Sequence, residues 1–213
     1  TITYDRWALQ NPLTKMIEST ETYYRLGRIL SNMQKANFCI TSDRFLITPY
    51  PLGQLRLSLD DIHALEENVP QSWLHSDFWH GNCFTGSEDS FIIIDPLPNA
   101  SYLLKDYIFA SGALDAAFMY MSIIICQPMI GHIVSRRRYL INSAEHFLAG
   151  FAAGHEINNE FVISSIRRMS RTLALNFIKD YHTRLPAPTA QMKALAAYRY
   201  MAKIDKEIDW CPK

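Results

Sequence analysis

Asp77 and Asn82 stand five positions apart in the segment His75-Ser76-Asp77-Phe78-Trp79-His80-Gly81-Asn82, and Asp95 ends the apolar run Phe91-Ile92-Ile93-Ile94 thirteen residues after Asn82. The first segment reads as a loop whose polar side chains share one space. Cys83-Phe84 and Phe91 to Ile94 flank the turn-rich Thr85-Gly86-Ser87-Glu88-Asp89-Ser90 and predict a hairpin. Such a hairpin would bring Asn82 close to Asp95. Two carboxylates and an amide oxygen together make a hard, oxygen-rich site. That suits Mg²⁺, which takes one or two carboxylates and completes its shell with water and substrate phosphates. Asp, Asn, Gly and Ser are also common in plain turns, so the loop alone is weak evidence. Its conjunction with Asp95 at a strand exit is what favours a site.

Transfer of a phosphoryl group from a nucleotide needs these parts. One carboxylate accepts the proton of the attacking hydroxyl, and an amide and a second carboxylate hold metal ions against the phosphates. The order Asp, four residues, Asn, then Asp after a short hairpin is the order used in protein kinases. His75 to Asn82 resembles the catalytic loop of the aminoglycoside phosphotransferase and choline kinase-like family, His-Gly-Asp, four residues, Asn, with Ser76 in place of the family Gly. Ile92-Ile93-Ile94-Asp95 is similar to the family's apolar strand ending in a metal-binding Asp. Leu114-Asp115-Ala116-Ala117 resembles its Asp-Leu-Ala helix start, and Tyr24 to Gln34 resembles a helix that usually ends Leu-His but here ends Met33-Gln34.

The resemblance implies ATP as phosphoryl donor and Mg²⁺ as the ion, with Asp77 as catalytic base and His75 orienting the loop. Asn82 and Asp95 would hold the metal and through it the nucleotide. Asp115 would brace the loop. The acceptor would be a hydroxyl of a small molecule such as a sugar, amino alcohol or aminoglycoside. Family members also have an N-terminal lobe that covers ATP. Fewer than 75 residues precede the loop, and they hold no Gly-rich loop and no strand Lys with a helical Glu partner. The expectation is therefore a kinase-like C-terminal lobe whose N-terminal ATP lobe is absent or greatly reduced. A separate N-lobe on another chain, or a homo-oligomer, is the partner this implies. The rival expectation is a noncatalytic kinase-like binding or scaffolding module, or a subunit needing a separate ATP-binding lobe.

The elements around the loop predict an α+β, mostly helical single domain over residues 1–213, with the catalytic loop and metal hairpin at 73–96 and a helical part at 103–207. Leu13 to Ala36 reads as a helix, with Met16, Tyr23, Leu26, Ile29, Leu30 and Met33 at three- and four-residue spacing. Cys39-Ile40 and Phe45 to Thr48 suggest another small hairpin. Ser58 is placed to cap a helix from Leu59 to Glu67, which Pro70 ends. Further helices are expected near 103–126, 136–153, 158–183 and 189–207. Tyr107 to Cys126 approaches the length of a membrane span, but Asp115 inside it favours a buried central helix.

Hydrophobic residues make up 48% and charged residues 20%, a globular rather than disordered balance, and the formal net charge of zero argues against nonspecific attraction to nucleic acid or an anionic membrane. The four cysteines, Cys39, Cys83, Cys126 and Cys211, fit no metal-ligand spacing and suggest free thiols in a reducing, cytoplasmic compartment. No Gly-x-Ser-x-Gly elbow or His-Glu-x-x-His occurs. Arg136-Arg137-Arg138 reads as a solvated helix start, and Arg167, Arg168 and Arg171 as a helix face partly in solvent. Asp106, Glu145 and Glu156 are acidic candidates for a cationic substrate, and Trp79 and His80 for a substrate wall.

Overall fold

A computed structural model describes residues 20–36, 57–75, 77–85, 91–93, 109–125, 130–184 and 189–208. Asp95, Ser76 and Asp106, and the hairpin expected around 41–44, lie outside these residues. Helix dominates. In chain order the elements are α1 (Thr20–Ala36), α2 (Leu59–Asn68), β1 (Gln71–Trp73), a 3₁₀ turn (His80–Asn82), β2 (Cys83–Thr85), β3 (Phe91–Ile93), β4 (Phe109–Ser111), α3 (Ala113–Ile125), α4 (Ile130–His155), α5 (Glu160–Arg184) and α6 (Thr189–Ile204). The fold is α+β and mostly helical, as the sequence predicts.

Local chemistry accounts for the boundaries. Ser58 and Asp61 form a reciprocal capping box that starts α2, with Ser58 N–H donating to Asp61 Oδ2 at 2.9 Å and Asp61 N–H donating to Ser58 Oγ at 3.1 Å. At its other end Val69 turns extended, as a residue before proline must, while its N–H still reaches Leu65 O. The β2–β3 hairpin pairs Cys83 with Ile93 and Thr85 with Phe91.

One expectation is corrected. The stretch from 103 does not read straight into helix, because Phe109–Ser111 forms a strand antiparallel to β1, with Trp73 opposite Phe109 and Gln71 opposite Ser111. Gly112 N–H donates to Pro70 O at 3.2 Å and closes that ladder, and its own carbonyl takes Ala116 N–H at 3.3 Å to open α3. The partner strand lies far away in sequence, which local periodicity cannot register. Helix α4 also starts earlier than expected, at Ile130, so Arg136-Arg137-Arg138 lies within a helix rather than at its start.

Helix α3 is the centre of the molecule. Every residue of it except Phe118 is buried, which is the pattern of a helix covered on all sides. Among the described residues no helix is long and apolar enough to cross a membrane.

Helices α1 and α4 meet backbone to backbone. A Cβ on Gly150 would lie 1.9 Å from Tyr24 O, one on Gly27 2.1 Å from Phe147 O, and one on Gly154 1.6 Å from Ser31 Oγ. Ser31, buried in the same seam, spends its hydroxyl on Arg28 O of its own helix at 2.8 Å. Three arginines of α5 are tethers. Arg167 pairs with Glu145 and Glu160, Arg168 with Asp61, and Arg171 grips Asp205 through two bonds of 2.9 Å. Arg137 similarly holds Glu207.

Because the α1–α4 contact is main chain against main chain, no side chain can swing away to admit a methyl group. Gly150→Ala is expected to destabilise the protein by at least about 2 kcal/mol, read as a lower urea midpoint. An unchanged midpoint would show that the helices do not meet this closely.

Candidate functional site

Strand β1 delivers the chain into the loop, and α3 receives it. Asp115, in the first turn of α3 and 3% exposed, accepts His75 N–H at its Oδ2 at 2.8 Å. The positive end of the helix and a charge-assisted hydrogen bond both favour a carboxylate there. The bracing role expected of Asp115 is thus met by a direct bond. His75 contributes through its main chain. Its ring is buried and packs edge-on against fully buried Phe78, with centroids 5.6 Å apart.

Beyond the anchor the backbone folds onto itself. Trp79 N–H donates to Asp77 O at 3.0 Å, and Asn82 N–H to Trp79 O at 3.0 Å, which forms the 3₁₀ turn. The Asn82 side chain then crosses back, with Nδ2 donating to Asp77 O at 3.0 Å and to Asp77 Oδ2 at 2.8 Å. Both targets are pure acceptors, so only the NH₂ side of the amide can face them. The Asn82 carbonyl oxygen therefore points the other way. Asp77 and Asn82, expected to work together, are in direct contact, with Asp77 half-buried and Asn82 buried.

The amide oxygen of Asn82 fits a hard cation such as Mg²⁺. Asn82 leads directly into β2, whose Cys83 pairs with Ile93, and Asp95 follows two positions later in sequence. Among the described residues no three His, Cys, Asp or Glu side chains form a metal-binding group.

His80 is not a substrate wall. It is buried against α3, where its N–H and ring Nδ1 lie 3.2 and 3.3 Å from Ser122 Oγ, while Ser122 gives its own hydrogen to Met119 O at 2.9 Å. Trp79 remains half-buried. Its indole lies over Gly81, where a Cβ would come within 2.5 Å of the ring. Burial, and then the charge of Asp115, push the Cys83 thiol up.

The acidic candidates resolve differently. Glu145 takes the Tyr120 hydroxyl at 2.5 Å and two Arg167 bonds of 3.2 and 2.7 Å. Burial first, then Glu145 itself, hold the Tyr120 phenol well above its ordinary value, so it remains a donor. Glu145 and Arg167 border a cavity of about 370 Å³ between the end of α4 and the start of α5, with no lining residue from the loop. Its charges are spent on one another. Glu156 is exposed and has φ 61°, the left-handed residue that ends α4.

Three residues meet at the start of α3 through contacts that the sequence reading did not anticipate. Gln34, buried in α1, donates from Nε2 to Gly112 O at 2.9 Å and accepts at Oε1 from His155 Nε2, also at 2.9 Å. They are far apart in sequence and carry no motif. The sequence marks Gln34 only as the end of a helix whose family counterpart ends Leu-His, and nothing in it announces the contacts with Gly112 and His155.

Comparison of this chain with protein-family models, with curated proteins and with solved structures finds no match.

His155 carries a pH dependence. Burial first, then the nearby Lys35 charge, lower its pKa to about 4 from an ordinary 6.5. Between those values the unfolded chain takes up a proton that the folded chain refuses, so stability falls as pH drops from 6.5 towards 4. Wild type should lose more stability between pH 7 and pH 5 than His155→Gln, measured as urea midpoints. Equal losses would contradict the assignment.

Proposed function

We propose that this chain is the catalytic part of an ATP-dependent, Mg²⁺-requiring phosphotransferase acting on a hydroxyl of a small molecule such as a sugar, amino alcohol or aminoglycoside. The observation that carries the reading is the double contact of Asn82 Nδ2 with Asp77 O and Oδ2, on a loop whose backbone is held by buried Asp115. It joins a carboxylate and an amide in the order that phosphoryl transfer uses. A kinase-like C-terminal lobe is the fold that goes with this reading.

In this account Asp77 accepts the proton of the attacking hydroxyl and fixes its direction. Asn82, with its NH₂ group committed to Asp77, offers Oδ1 to Mg²⁺, and Asp95 offers a carboxylate. The ion, when bound, offsets the charge of the nucleotide phosphates. Most of the acceleration would come from positioning and fixed electrostatics, which explains why the loop is tied down at both ends, by Asp115 at His75 and by Ser122 at His80. A cytoplasmic compartment, where ATP is abundant and a thiol such as Cys83 stays reduced, agrees with this reading.

Asp77→Asn preserves the side-chain shape and removes the base. Transfer of labelled γ-phosphate from ATP to a panel of sugars, amino alcohols and aminoglycosides should fall by at least about 100-fold, with the thermal melt intact. Unchanged turnover would overturn the role of Asp77. A panel giving no transfer with wild type either would favour a noncatalytic binding module.

A further inference from the structure

The loop carrying Asp77 is held by Asp115, so its geometry depends on where the start of α3 stands. Among the described residues, two groups tie that start to other elements. One is the β1–β4 ladder, through Gly112 N–H to Pro70 O. The other is Gln34. Its Nε2 donates to Gly112 O, the carbonyl that also takes Ala116 N–H in the first turn of α3. Gly112 has no room for a side chain, because a Cβ would lie 2.2 Å from Gln34 Oε1. The glutamine is 2% exposed, so it has no water to fall back on. Its own orientation is set from the far side. Gly112 O can only accept, so the NH₂ must face it, and Oε1 must take a hydrogen from His155 Nε2. The His155 ring is in turn wedged edge-on against Phe151, with centroids 4.7 Å apart.

We propose that Gln34 is a positioning residue for the Asp77 loop. It locks the end of α1 and the end of α4 onto the carbonyl that opens α3, and so sets the place from which Asp115 reaches His75 N–H. The chain of direct contacts is His155, Gln34, Gly112, then one turn of helix to Asp115, then His75. The inference rests on the phosphotransferase reading only for what the loop does. The linkage itself can be tested without turnover.

The test is amide hydrogen exchange of His75 by NMR in wild type, Gln34→Leu, Asp115→Ala and the double variant, with thermal melts to establish that each is folded. Acting through Asp115, Gln34→Leu should speed His75 exchange by about tenfold in wild type and by less than twofold in the Asp115→Ala background, a strongly non-additive cycle. A residue that merely stabilises the fold would speed exchange equally in both backgrounds, which overturns the proposal, as does no change in wild type. Gln34→Met and Asp115→Asn, closer in volume, carry the same cycle where the first pair unfolds. Because exchange is read without substrate, failure of the phosphotransferase reading leaves this outcome unaffected, and failure of the cycle leaves the Asp77→Asn result standing.

Discussion

A carboxylate buried as deeply as Asp115 has to be met by donors, and one donor it meets is the backbone of the loop two residues before Asp77. An unmatched buried charge costs several kcal/mol, so the loop and the helix start cannot drift apart without penalty. Much of the remaining architecture serves this one contact. Strand β4 turns at Gly112 to aim α3 at the loop. Helices α4 and α5 cover the other sides of α3, and the α5 arginines pin the surrounding helices at Glu145, Asp61 and Asp205.

The second constraint is the glycine seam between α1 and α4. Ordinary helix pairs keep their axes 8–10 Å apart through side chains. Here the main chains touch, at Gly27 with Phe147 and at Gly150 with Tyr24. The close approach brings the end of α1 within reach of the end of α4, which is why Gln34 can hold His155 with one atom and Gly112 with another. Seam and loop are connected through the start of α3.

What the sequence made legible follows from what is local. Ser58 and Asp61 announce a capped helix because capping chemistry acts over three residues. The hairpin from Cys83 to Ile93 is written in its turn residues and flanking strands. The Asp77–Asn82 pairing was accessible because five positions of loop connect the two. The rest depends on partners distant in the chain. Phe109–Ser111 is a strand only because β1 lies beside it. Gln34 and Ser31 look like breaks in an apolar stripe, yet they are more buried than Ile29 and Met33, because α4 approaches through its glycines on that side. Arg167, Arg168 and Arg171 lie partly in solvent, as their helix face suggested, but nothing in their spacing reveals Glu145, Asp61 or Asp205 as partners.

On the proposed reading Asn82 Oδ1, on the side of the amide away from Asp77, holds a cation together with a nucleotide. The most direct test of that reading uses Mn²⁺ as a paramagnetic stand-in for Mg²⁺, titrated into the full chain with ATP while the side-chain NH₂ resonance of Asn82 is followed by NMR. This signal and those of the neighbouring 77–83 backbone should broaden first, and the backbone broadening should be lost in Asn82→Leu. Broadening centred elsewhere, or none at all with ATP present, would contradict the reading.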